Sequence, residues 1–228
     1  MVKKISSTIL GIVLIYGAVA FAMKAGLGIM PVDAAIATIA AVLGVKVGTI
    51  SILFHGSFFL GQIAMERKNF RKMEFFQVLY ITLGGTVLNF FLYVVLKNVT
   101  FTFYPIRLLV TLAAFMAAAF GCTLVLETRL MRTPMEGCIQ LLADRLGLVN
   151  GKFRQKIDIG LVTLSVVLTL IFGTEWTLRE GTIIAALIFE SSNSTVVPSR
   201  LSTAYILMSS YTIGTVCLIP ILSLCLVL

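Results

Sequence analysis

The chain has 228 residues, 59% hydrophobic and only 12% charged, with a mean hydropathy of +1.04 and a formal net charge of +8. Soluble domains carry roughly 25% charged residues, and a water-soluble fold could not hide this much apolar surface. The positive charge does not signal nucleic acid, because the Lys and Arg residues sit in short gaps between apolar runs and do not form one basic face.

Apolar stretches of ~20 residues, each long enough to cross a bilayer as a helix, succeed one another along the chain. The expected fold is all-α, a polytopic transmembrane helix bundle of about six to seven spans. Residues 1–22 have the outline of a signal peptide, with Lys3 and Lys4 ahead of an apolar run. Because the rest of the chain is equally apolar, they read as an uncleaved first helix, spanning about 5–23. Further spans are expected at about 49–65, 73–96, 105–126 and 157–172. A sixth begins near Gly181 and meets the polar run 190–195 before it could have crossed, and 201–228 makes a seventh. Cys122, Cys138, Cys217 and Cys225 have neither CxxC spacing nor a histidine pattern, so they imply packing and no disulfide or metal.

Cytoplasmic loops carry an excess of Lys and Arg. With the N-terminus inside, 13 of the 18 basic residues fall on the inner side. Segments 66–72 and 127–156 are then cytoplasmic and the loop near Asn98 is outside. The chain is therefore expected in a bacterial cytoplasmic membrane as a multi-pass protein.

Two short segments resemble each other 103 residues apart: Pro31-Val32-Asp33 running to Leu43-Gly44, and Pro134-Met135-Glu136 running to Leu146-Gly147. As helices of about 21 Å, neither crosses a ~30 Å hydrocarbon core. A weaker echo links Gly85-Thr86-Val87-Leu88 with Gly181-Thr182-Ile183-Ile184. The expected unit is span, short helix, span, span. Its three crossings invert the second copy, so the two short helices lie on opposite sides of the membrane. Repeat 1 covers 1–103 and repeat 2 covers 104–200, with 201–228 as an additional C-terminal helix. Gly28, Pro31, Gly44, Pro134 and Gly147 are the helix-break or hinge positions. Inverted repeats with short or broken helices at matching places are a recurring transporter plan.

Proline suits the first turn of a helix, and an acid two residues later faces the positive end of the helix dipole. Asp33 and Glu136 therefore either cap their helices or help form cation or proton sites. Glu136, Gln140 and Asp144 recur every four residues opposite Met135, Ile139, Leu142 and Leu146, the pattern of an interfacial amphipathic helix. The first short helix shows a small face of Asp33, Ala37, Ala40, Ala41 and Gly44, suited to close packing inside the bundle. His55 lies near the middle of the second span, where ionisable groups face a cavity or a partner. Asn89 is a weaker candidate, and Asp158 is expected at the interface beside Lys156. Glu190 and Asn193 complete the candidate substrate or ion site if the sixth span crosses, since polar groups at that depth must face protein or a water-filled cavity.

Gly26-Leu27-Gly28, Met30-Pro31-Val32-Asp33 heading a short helix, Gly44, Gly48-Thr49 and Leu83-Gly84-Gly85-Thr86-Val87-Leu88-Asn89 together resemble the YczE/YitT-like bacterial membrane proteins. The resemblance covers roughly residues 10–190 and implies a bacterial cytoplasmic-membrane protein of five or six helices with no assured substrate. The sequence departs from it at Phe189-Glu190, where a Gly-Pro pair would succeed Leu187-Ile188.

These features point to a secondary transporter or exporter of a small polar metabolite or ion. The alternatives are a substrate-binding membrane subunit that needs a separate ATPase, or a regulatory or scaffolding membrane protein. The chain has no Walker A sequence, HExxH, GxSxG or GxGD, so no enzyme activity and no cofactor are expected. Its expected partners are the lipid bilayer and a small-molecule or ion substrate of unknown identity, with a homodimer left open.

Overall fold

The computed structural model describes residues 2–67, 70–128 and 130–174. They form seven helices: α1 (Val2–Ala25), α2 (Pro31–Leu43), α3 (Val47–Glu66), α4 (Phe76–Phe90), α5 (Tyr104–Thr128), α6 (Pro134–Leu146) and α7 (Asn150–Phe172). A 3₁₀ turn, Lys72–Phe75, leads into α4, and a π turn, Phe91–Val95, continues it. Among the described residues there is no strand. Five segments are long and apolar enough to cross a membrane: Lys3–Ala25, Val47–Glu66, Lys72–Val95, Tyr104–Thr128 and Asn150–Phe172. The expected sixth and seventh spans, with Gly181, Glu190 and Asn193, lie outside the described residues.

The fifth span starts at Asn150, not at residue 157 as the run of apolar residues suggested. Hydropathy places the edge where charge ends, but Lys152, Arg154 and Lys156 are good helix formers, and long basic side chains at a helix end reach back to the interface. Arg154 is further held by Glu136 and Asp158.

α2 and α6 have the same local geometry. Each opens with Pro at its first turn, after Met30 (φ −62°, ψ 152°) or Thr133 (φ −65°, ψ 141°) in extended conformation. Each closes on a left-handed glycine, Gly44 at φ 65° and Gly147 at φ 62°, where a side chain would be strained. The closing hydrogen bonds match: Gly44 N–H to Ala41 O and Val45 N–H to Ala40 O, at 3.3 and 3.0 Å; Gly147 N–H to Asp144 O and Leu148 N–H to Ala143 O, at 3.3 and 2.9 Å. Both helices have 13 residues.

α1 and α5 pair antiparallel. Thr8 Oγ1 donates to Thr128 Oγ1 at 3.2 Å near one end, and Arg107 reaches the carbonyls of Ala25 and Gly26, at 2.6 and 2.7 Å, at the other. Between these ends Gly11 and Gly121 touch so closely that a Cβ on either would fall 2.7 or 2.8 Å from the other's carbonyl oxygen. α3 and α4 cross in the same manner at Gly48 and Gly85. Small residues let helix backbones approach in lipid, where apolar burial alone drives no association.

α2 packs against α3 and α7, and α6 packs against the same two helices. One core cluster joins them, with Val32, Ile36, Ile50, Met135 and Ile139 at its centre and Phe54, Phe153 and Ile157 around it. Leu43, Leu142 and Leu146 are exposed at 61%, 37% and 57%. They sit at or near the last turns of the short helices. Large side chains such as Leu53, Leu109, Met116 and Leu170 also point outward at 64–69% exposure. Lipid is their natural solvent.

Candidate functional site

Asp33 sits in the first turn of α2, pointing into a cavity of ≈ 20 Å³ walled by Ala18, Val19 and Ala22 of α1, Ile29 and Met30, and Ala114, Phe115 and Ala118 of α5. Asp33 has no hydrogen-bond or ion-pair partner among the described residues. Its carboxylate therefore does not act as a side-chain cap of α2, and the capping residue Met30 makes no side-chain cap bond either.

His55 stands in the middle of α3. Its Nδ1 lies 3.0 Å from the Ser51 carbonyl and 3.4 Å from Ser51 Oγ. A carbonyl oxygen can only accept, so this contact assigns the proton of the neutral ring to Nδ1 and leaves Nε2 as the basic nitrogen. The ring packs edge-on to Tyr16, Phe54 and Tyr80, with centroids 5.9–6.5 Å apart. His55 does not line the Asp33 cavity. The Tyr16 ring lies against Gly84, 5.5 Å from the Tyr80 ring.

Glu136 occupies the position in α6 that Asp33 occupies in α2, but it is paired. Arg154 of α7 donates to Glu136 at 3.2 Å and to Asp158 at 3.3 Å. Asp158 is buried, at 6% exposure, and its Oδ1 has no partner among the described residues. The spacing of four residues puts Arg154, not Lys156, on the same helical face as Asp158.

Asn89 serves α3. Its Oδ1 accepts from the Gly48 N–H at 2.8 Å, and Tyr93 OH accepts from the Val47 N–H at 3.2 Å, so two side chains of the neighbouring span satisfy amides that the first turn of a helix leaves unpaired. Of the hinge positions, Pro31, Pro134, Gly44 and Gly147 bound the short helices. Gly28 (φ 157°) lies in the link between α1 and α2.

A second polar cluster escaped sequence reading. Gln62 of α3 and Gln77 of α4 are fully buried and exchange side-chain bonds at 3.2 and 3.1 Å. Gln77 also donates to Glu74 at 2.6 Å, and Gln62 to the Pro134 carbonyl. Arg132 bridges Glu74 at 3.2 Å and Glu66 at 2.9 Å. Burial works to lower the Arg132 pKa, but the bond to Glu66 and the charge of Glu74 prevail and raise it, so the guanidinium stays charged. The cluster ties the α3–α4 hairpin to the start of α6. Glutamines at single positions in apolar runs carry no spacing signal, so only the crossing of α3 and α4 reveals them.

Among the described residues no group of three His, Cys, Asp or Glu side chains is placed to hold a metal ion. The arrangement offers a carboxylate facing an apolar cavity, two acid–arginine–acid sets, and a histidine with aromatic neighbours, within a shell of outward-facing apolar side chains. No curated protein and no solved structure matches the sequence. A family model matches residues 2–191, and the chain thus belongs to DUF6198, a family of unknown function.

Proposed function

We propose that this protein is a secondary transporter or exporter of a small polar metabolite or ion, working by alternating access between two inverted repeats. The observation that carries the reading is the constant offset of 103 residues between the two halves. α2 and α6 obey it at both ends, α1 and α5 end at Ala25 and Thr128, and α3 and α7 begin at Val47 and Asn150. The core cluster around α2 and α6 is built from residues at the same offset, Val32 with Met135, Ile36 with Ile139 and Ile50 with Phe153. The packing is reciprocal, α2 on α7 and α6 on α3. An antiparallel α1–α5 pair is what an axis in the membrane plane requires. Under this correspondence Asp33 matches Glu136, Ser51 matches Arg154 and His55 matches Asp158, so the polar groups occupy equivalent places in two chemically different half-sites. Swapping the conformations of two such halves exposes a shared site first to one side and then to the other.

The N-terminus and the basic segments are placed in the cytoplasm of a bacterial cell, by the positive-inside rule. The YczE/YitT-like resemblance is part of the same reading. The test is uptake or efflux by the purified protein in liposomes across a metabolite library. Gradient-driven movement of one compound class, lost in Asp33→Asn, supports the reading. Absence of any flux through correctly inserted protein overturns it in favour of a regulatory or scaffolding role, and flux that appears only with a co-purifying ATPase favours a binding subunit.

A further inference from the structure

The polar cluster around Arg132 joins the two halves of the chain at one end of the bundle. Gln62 and Glu66 stand on the last turns of α3, Glu74 and Gln77 at the start of the next span, and Arg132 and Pro134 at the entry to α6. By the topology proposed above, this end faces the cytoplasm. Its bonds run from wet to dry. The Arg132 side chain, 33% exposed, holds Glu66, 13% exposed, at 2.9 Å and Glu74, 3% exposed, at 3.2 Å. The Arg132 backbone N–H adds a bond to Glu74 at 3.3 Å, and behind it Gln77 and Gln62 are fully buried, with Gln62 donating to the Pro134 carbonyl. An ion pair at the water's edge separates at little cost because each partner is hydrated as it leaves, whereas a dry pair parts only if water follows. A contact graded in this way can open from its wet edge.

The offset of 103 residues locates the equivalent place at the opposite end, and it is built differently. Ile29 stands there for Arg132, Thr169 for Glu66 and Ser165 for Gln62, none of them charged, while Pro31 stands for Pro134. Ser165 Oγ donates back to Leu161 of its own helix at 2.9 Å, and Ile29 lines the cavity that Asp33 faces. The counterparts of Glu74 and Gln77 lie outside the described residues. If the two halves were identical, the two conformations that alternating access requires would be related by symmetry and equal in energy. A set of bonds that only one of them makes shifts the balance toward that conformation.

We propose that the Glu66–Arg132–Glu74 ion pairs, backed by the Gln62–Gln77 amides, form the cytoplasmic gate of this protein, closed in this structure, and set its resting state facing outward. On opening, Arg132 parts from both carboxylates and the entry to α6 draws away from the α3–α4 hairpin. The gate deepens the proposed function and rests on it, but it is tested by distances and not by flux.

The experiment is pulsed electron-spin distance measurement on the full chain reconstituted in lipid, with its native cysteines replaced by alanine. One nitroxide pair, on Arg71→Cys and Asp144→Cys, spans the gated end; the other, on Ala41→Cys and Phe172→Cys, spans the opposite end between α2 and α7, and all four positions are exposed. Arg132→Gln combined with Glu74→Gln, which leaves no stranded charge, is expected to replace the native 71–144 distance with a longer one and the 41–172 distance with a shorter one. Opposed movement at the two ends is the signature of a gate, since a merely loosened fold broadens both distances together. Unchanged distances, or broadening at both ends, overturn the proposal. Should that variant fail to fold, Glu66→Gln, which keeps the Arg132–Glu74 bond and the amides, must move both distances in the same opposed sense, and unmoved distances there are equally fatal. Liposome flux without opposed movement strikes the gate and leaves transport standing; opposed movement in a protein that carries no compound supports the two-state clasp and sinks the transporter reading.

Discussion

Gln62 and Gln77 face each other across the α3–α4 interface with both amides fully buried, each donating to the other's carbonyl oxygen at 3.2 and 3.1 Å. A reciprocal amide pair satisfies both members only while both are present. Gln77→Leu strands the Gln62 amide and removes a donor from Glu74, so a loss of about 1–3 kcal/mol is expected. The double change Gln62→Leu with Gln77→Leu should cost less than the two single changes added together. A denaturation series in detergent, run as a double-mutant cycle, checks this, and strict additivity would refute the pairing.

Arg132 carries the same logic with charge. Removing it leaves Glu74, 2% exposed, as a buried carboxylate with a guanidinium partner gone. Breaking a buried pair from one side costs about 3–5 kcal/mol, so Arg132→Ala should lower the melting temperature clearly. Adding Glu74→Gln to Arg132→Ala should recover part of that loss, because it takes away the stranded charge. Thermal melts of the three variants decide the matter.

The helix crossings predict opposite signs for one substitution at different glycines. At Gly48 a methyl group would collide with the Gly85 carbonyl and the Asn89 side chain, and at Gly84 with the Tyr16 ring. Gly48→Ala and Gly84→Ala should each cost about 1–3 kcal/mol by forcing helices apart. At Gly56, on the same helix as Gly48, nothing lies within 4 Å, so Gly56→Ala should stabilise by about 0.5–1 kcal/mol through backbone entropy alone. Comparative melting curves test the contrast.

The basic-residue asymmetry predicts orientation. In a protein with its native cysteines replaced by alanine, Asn98→Cys should react with a membrane-impermeant thiol reagent applied from outside, and Arg71→Cys should not. Both positions are exposed on the molecule, so access is set by the side of the membrane. The opposite labelling pattern would reverse the assigned topology.

Much of this protein was legible in its sequence, because lipid imposes a simple demand. Every backbone amide at membrane depth must be paired within its own segment, so long apolar runs become helices wherever they occur. The bounds of α2 and α6 were equally readable, since proline at a first turn and a left-handed glycine at the end are local requirements that need no partner. The polar assignments were decided by tertiary structure alone. Nothing near Asn89 in sequence says that its amide satisfies Gly48, and nothing near Gln62 says that Gln77 and Pro134 surround it. Lys156 is the basic neighbour of Asp158 along the chain, while its ion partner Arg154 is set by helical geometry and by the approach of α6. Likewise Asp33 and Glu136 are indistinguishable as first-turn acids, and only packing gives one an arginine and leaves the other facing a cavity. Backbone pairing is a local property of a segment in lipid, whereas the partner of a buried side chain is a property of which helices cross, and at what height.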